Sequence, residues 1–360
     1  MRKIVSFFAF VAIMITFAAC SGNDGNVPEV KNLQFKVQAL SKKAHFVITP
    51  PANNQKEYFF WWVKKSAVEN KGTVRDYAEY DLSRYTYERL VNYGLIRTEK
   101  TDYWTDETTF KLTPNTTYVL YVFFIEVDGD HAKIDGEVEY VEFTTMPEYT
   151  LNGEFSVSAT KKVHFSQANL RNNNGSYDFF DNQWDYTGSS SNNPIDLFLW
   201  NAITNCPPHF YALSKDEWWY MLKTRPNADK LFAHATVNGT KGLILLPDNW
   251  KTPDDVQLIT DYQMGIVWNE NDIQYKHSET DYNGYGPNIY NDKRWKVLEY
   301  AGAVFMPATY YSNSAGWYWT SSDAGDKAYR LAYANNNLIL KTLINAYSKT
   351  DYDSFRLVRD

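Results

Sequence analysis

From residue 30 to residue 147, hydrophobic and polar positions alternate at the period of half-buried strands. "LQFKVQAL" puts Leu33, Phe35, Val37 and Ala39 on one face, and "HFVITP" adds Phe46 and Ile48 before a proline stop. "YFFWWV" is apolar without a break, which suits a central strand. "LTPNTTYVLYVFFIEVDGD" sets a Pro-Asn turn before Tyr118, Leu120, Val122 and Phe124, and Asp128-Gly129 is a hairpin signal. "VEYVEFTT" closes the pattern. Residues 64–107 interrupt it, and "VRDYAEYDLSRYTYERLVNYGL" predicts one or two inserted helices stopped at Gly94. The tyrosines there suit packing of the insertion against the strands better than a docking face.

"TTMPEYTLNG" marks a boundary, since Pro147 cannot continue a central strand. A second pattern fills 148–360. "GEFSVSATKKVHFSQANL" gives two alternating stretches. The polar, aromatic loop "RNNNGSYDFFDNQWDYTGSSSNNPIDLF" follows, too rich in spaced aromatics (Phe179, Phe180, Trp184, Tyr186) to be disordered. Ser214-Lys215-Asp216-Glu217 is a capping box opening a helix that Pro226 stops, with Trp218, Met221 and Leu222 on one face. "KGLILLPDNW" reads as a buried strand. "DKRWKVLEYAGAVFMPA" reads as a second helix and then a short strand, Ala303 to Met306. "GWYWTSS", "KAYRLAY" and "DSFRLVRD" are three strand-like pieces near the end. Alternation sets Trp317 and Trp319 against Tyr318 and Thr320, and Tyr329, Leu331 and Tyr333 against Ala328, Arg330 and Ala332.

The N-terminal stretch changes the cellular picture. Arg2 and Lys3 precede an apolar run, Ile4 to Ala19, too short for a comfortable membrane span, and small residues lead directly to Cys20. With a net charge of −7, the chain is a poor match for nucleic acid or a polybasic membrane contact. The two cysteines, Cys20 and Cys206, are too few for a disulfide framework or a thiolate metal cluster. The six histidines show no metal-ligand spacing, and nucleophile-elbow, P-loop and dinucleotide motifs are missing from the sequence. No cofactor, metal or catalytic residue is therefore assigned. High Tyr and Trp content beside Asn, Ser and Asp suits a wet binding surface.

Three resemblances sharpen these readings. Phe17-Ala18-Ala19-Cys20 resembles the lipobox of bacterial lipoproteins, which implies a signal peptide over 1–19, acylation of Cys20, a tether over 20–29 and an outer-membrane, cell-surface location. Leu112 to Val122 resembles the E–F corner of fibronectin type III domains, implying an all-β sandwich (fibronectin III/Ig-like) over 30–147 in which a Tyr hydroxyl pins a turn. "QWDYTG", "LSKDEWWYML", "GLILLPDNW", "AGAVFMPA", "GWYWTSS" and "SFRLVRD", in that order, resemble Bacteroides-type surface proteins with a C-type-lectin-like α+β fold. Formylglycine-generating enzymes and the variable proteins of diversity-generating retroelements share that fold. The enzymes need site cysteines, and Cys206 alone does not supply them. Calcium-using lectins of the fold carry E-P-N or Q-P-D and W-N-D motifs, which "WNEND" at Trp268 to Asp272 does not match.

The multidomain expectation is thus a β sandwich carrying a helical insertion, followed by a lectin-like unit over 148–360 that binds a glycan or a surface protein without turnover, through a surface that is diversified in the variable proteins. The candidate contacts are Tyr310, Tyr311, Asn313, Trp317, Asp323, Asp326, Arg330, Asn335, Asn337, Tyr347, Lys349 and Asp351, with Asn335–Asn337 as an exposed turn. A structural or accessory subunit of a pilus or glycan-uptake assembly is the alternative reading.

Overall fold

A computed structural model describes residues 32–105, 109–188, 194–260, 263, 273–276, 287–309, 315–336 and 339–360, with backbone alone at 273–276, 334–336 and 339–343. The first part contains strands β1 (Gln34–Ala39), β2 (Ala44–Thr49) and β3 (Tyr58–Lys64). Helices α1 (Lys65–Glu69), α2 (Val74–Leu82) and α3 (Tyr87–Asn92) follow. Strands β4 (Ile96–Arg97), β5 (Thr101–Trp104), β6 (Thr117–Asp128) and β7 (His131–Thr144) complete it. One antiparallel sheet has the order β1-β2-β5 and the other β4-β3-β6-β7. Phe46, Ile48, Phe60, Trp62, Leu120 and Val122 fill the space between them.

The uninterrupted apolar run in β3 has a structural cause. Its Phe60 and Trp62 face the other sheet, while Phe59 faces outward with Tyr121 and Phe123 under a roof of Val68, Ala78, Leu82 and Leu90 from the helices. Of the insertion's tyrosines, Tyr77, Tyr85 and Tyr87 pack half-buried against this cluster, as expected, and the sheet's own Tyr121, fully buried, donates to Asp81 at 2.7 Å. Tyr80 and Tyr93 remain exposed. The insertion is shorter than the sequence suggested. Three short helices end at Asn92, and residues 96–104 return to the sheets as β4 and β5. Gly94, at φ +65°, ends α3 as expected, with Gly94 N–H bonding Val91 O at 2.8 Å and Leu95 N–H bonding Leu90 O at 3.0 Å. At the corner before β6, Tyr118 Oη accepts the Thr113 N–H at 2.8 Å.

The two halves touch through aromatic side chains. Trp104 stacks on His45, with centroids 3.8 Å apart, and meets Tyr300 edge-on at 4.7 Å. Leu40 is buried in the same cluster as Leu151 and Tyr300.

In the second part β8 (Phe155–Ser156), β9 (Lys162–Phe165), β10 (Leu170–Asn173) and β11 (Ser176–Phe179) come first. Next are β12 (Tyr211–Ala212), α4 (Lys215–Trp219), β13 (Phe232–Val237), β14 (Thr240–Leu245), β15 (Ile273–Lys276) and β16 (Ile289–Tyr290). Then come α5 (Asp292–Tyr300), β17 (Val304–Pro307), β18 (Ala315–Ala324), β19 (Lys327–Asn336), β20 (Ile339–Ser348) and β21 (Leu357–Arg359). The sheet β12-β21-β9-β8 joins the start of this unit to its end, and β10 pairs with β11. A second sheet has the order β16-β13-β14-β17 and a third the order β15-β20-β19-β18.

The capping box forms as the sequence indicated. Ser214 Oγ accepts Glu217 N–H at 3.2 Å, and Glu217 Oε2 accepts Ser214 N–H at 2.8 Å. Trp218, Met221 and Leu222 then enter the main core with Tyr318, Leu331 and Tyr333. Each such large side chain contributes roughly 2 kcal/mol by leaving water. Gly316 is where a side chain would not fit, because a Cβ there would lie 2.1 Å from the Tyr333 ring. The Asn-rich turn needs correction. Asn335 and Asn336 continue β19 and pair with Leu340 and Ile339, because a strand absent from the sequence reading, β20, runs beside it.

Candidate functional site

The register of the third sheet sets Trp317 opposite Ala332, Trp319 opposite Arg330, Arg330 opposite Asn345 and Ala328 opposite Tyr347. Cross-strand pairs share a face, so Trp317, Arg330, Asn345 and Tyr347 stand on one side of three neighbouring strands. The Arg330 guanidinium lies 3.9 Å from the Trp317 ring centre and 3.4 Å from that of Tyr347. It is held flat between two aromatic faces, an arrangement its planar, weakly hydrated ion favours.

Two carboxylates fix its edge. Arg330 Nη1 sits 3.2 and 3.3 Å from the Asp353 oxygens and 3.6 Å from Asp351 Oδ2. Asp353 is wholly buried and is clamped to Phe198 by backbone hydrogen bonds of 2.9 and 3.1 Å. Burial pushes its carboxyl up to about 6 against the pull of Arg330. Arg330 Nε is buried with no hydrogen-bond partner among the described residues. A donor in that state favours an acceptor brought by water or a ligand.

A second group adjoins the stack. Lys349 Nζ is 2.8 Å from both Asp323 oxygens and 4.3 Å from the Trp200 ring centre. The Lys349 hydrogen bond, with the Gly325 N–H at 2.7 Å, holds the Asp323 carboxyl below its ordinary value. Trp200 is itself oriented by donating to Thr320 O at 2.8 Å. Asn345 and Asp323 are exposed. The face therefore offers aromatic edges beside an amide, an ammonium and carboxylates. It can stack on a flat apolar ligand face and exchange hydrogen bonds around its rim.

Of the expected contacts, Trp317, Arg330, Tyr347 and Asp351 come together, and Asp323 and Lys349 pair beside them. Asp326 is exposed at the β18–β19 turn. Arg330 is a correction. It was expected on the displayed side, but it is 4% exposed, because the rings cover its faces and Asp353 covers its edge. Asn335 lies within β19, and its side chain is outside the description. Cys20, Tyr310, Tyr311, Asn313, Asn337 and the "WNEND" segment lie outside the described residues. Sequence reasoning missed Asp353, Asn345 and Trp200. The Asp351-x-Asp353 spacing was a usable signal, since alternation puts both acids on one side. Trp200 carried none, being distant in sequence.

Cys206 is half-buried, and burial pushes its thiol up to about 11, so it stays protonated. Among the described residues no three of His, Cys, Asp and Glu gather as a metal site. No helix of the described residues is long and apolar enough to cross a membrane. Comparison with protein-family models, curated proteins and solved structures finds no match.

Proposed function

We propose that this chain is a surface lipoprotein that binds a glycan, without turnover, through the β18–β20 face of its second domain. Acylation at Cys20 and outer-membrane display belong to the same proposal. The β1-β2-β5 and β4-β3-β6-β7 sheets and the Tyr118 corner support a fibronectin type III-like first domain that lifts the second from the membrane. The pairing of β21 with β9 and β12, flanked by α4 and α5, supports a C-type-lectin-like second domain.

The observation that carries the functional reading is the Trp317–Arg330–Tyr347 stack with its orphaned Arg330 Nε–H, beside the exposed Asn345 and Asp323. A rigid aromatic frame costs little conformational entropy on binding, and the polar rim supplies directional contacts. A glycan fits both, having apolar ring faces and hydroxyls at their edges. The test is a printed array of oligosaccharides probed with wild type and with Asp323→Ala/Asn345→Ala. Glycan signals that disappear in the double variant support the reading. Signals identical in both proteins, or a wild type that binds no glycan, sink it.

A further inference from the structure

The inserted helices do more than roof the outer face of the β4-β3-β6-β7 sheet. Where α1 turns into α2, they leave a cleft of about 400 Å³ against β6 and β7, within the size range of small-molecule sites. Val68, Val119 and Val138 lie in its wall. Tyr140, opposite the buried Tyr121 in the register, stands beside them and is 52% exposed. Over the rim, Lys65 Nζ bonds Glu142 Oε2 at 2.7 Å. Arg75 bonds Glu79 Oε1 at 3.0 Å and Gly136 O at 2.8 Å.

We infer that this cleft is a second, independent saccharide site on the first domain. A sugar hydroxyl both donates and accepts. An ammonium hydrogen-bonded to a carboxylate presents one donor and one acceptor side by side, so the Lys65–Glu142 pair matches neighbouring hydroxyls without either charge being left unpaired. The Tyr140 ring offers a flat face to the apolar side of the sugar ring, and the valines exclude water from beneath it. A free anion fits less well, because Lys65 and Arg75 already have their acids and Glu69 and Glu137 add two more carboxylates to the lining. Two sites on one chain would bind a multivalent glycan surface more tightly than either alone, where the spacing allows both to engage.

The experiment is saturation-transfer difference NMR on the intact protein with unlabelled neutral mono- and disaccharides. It is run in an Asp323→Ala/Asn345→Ala background, so that the second-domain face is silenced. Sugar ring-proton enhancement is expected to persist there, to vanish in Tyr140→Ala and to survive in Tyr140→Phe, which keeps the ring. Because Tyr140 is exposed, an unchanged Tm is expected and shows that loss of signal is not unfolding. The inference is overturned if Tyr140→Ala leaves the enhancement intact. It is equally overturned if no neutral sugar is enhanced in that background, or if acidic sugars alone respond and lose the signal at high salt. Since the background variant removes the other surface, failure here and failure of the lectin-like reading give different results.

Discussion

Replacing Arg330 with methionine removes the cation from between Trp317 and Tyr347 and strips Asp353 of its partner. Breaking a buried ion pair from one side costs about 3–5 kcal/mol. The structure shows how that cost should vary with pH. Asp353 titrates at about 6 in the folded protein, above the ordinary carboxyl value of 3.8. The folded state therefore binds the proton more tightly than the unfolded chain. Its contribution is greatest below about pH 4 and is lost as pH rises through 6. Without Arg330 the carboxyl is pushed higher still, and the upper bound of the effect is a group that keeps its proton across pH 5–7. Between pH 7 and pH 5 the variant then gains about 1.4 kcal/mol per pH unit from this group, roughly 2.7 in all, whereas wild type gains about half of that. The gap between the two should narrow by about 1.4 kcal/mol on acidification. Urea unfolding of both proteins at pH 7 and pH 5, followed by tryptophan fluorescence, measures it. Adding Asp353→Asn to the variant should remove this group's pH dependence from it, so that its gap to wild type instead widens by about 1.4 kcal/mol on acidification, the gain wild type alone retains. A loss below about 1 kcal/mol at pH 7, or a gap that does not change with pH, would refute the buried-pair account.

Further predictions concern the frame. Tyr118→Phe deletes the acceptor of the Thr113 N–H and should cost about 1–2 kcal/mol in urea unfolding, with a normal m-value. Ser214→Ala breaks one half of the α4 capping box and should cost about 1 kcal/mol, read the same way. Trp104→Ala removes the stack on His45 and the edge contact with Tyr300, so calorimetry should show the unfolding of the two halves separating into distinct transitions. A single unchanged transition would show that other contacts couple them.

The first half was the more legible, because a sheet with one face against the other sheet writes its register directly into alternating residues. Leu120 and Val122 could be placed from spacing alone, and Gly94 and Ser214 carry local signals that do not depend on distant partners. The short strands β4 and β5 were hidden because they lie next to the helices and pair with β3 and β2, contacts remote in sequence. Strand β20 was hidden for another reason. Among its described side chains, Ile344 packs toward the main core while Tyr347 packs against the opposite cluster, so both faces bury apolar groups and the alternation is blurred. At the candidate site the face shared by Trp317 and Arg330 could be deduced, but the burial of Arg330 could not. An arginine is ordinarily displayed, and the residue that reverses this, Asp353, reaches it through a chain return anchored on Phe198.

The central claim is that the face built on Trp317, Tyr347 and their rim recognises a glycan. Isothermal titration of the strongest array binder into wild type and into Asp323→Ala/Asn345→Ala tests it most directly. The account predicts affinity at least about tenfold weaker in the variant, about 1.4 kcal/mol, with Tm unchanged. Equal affinities in the two proteins would contradict it.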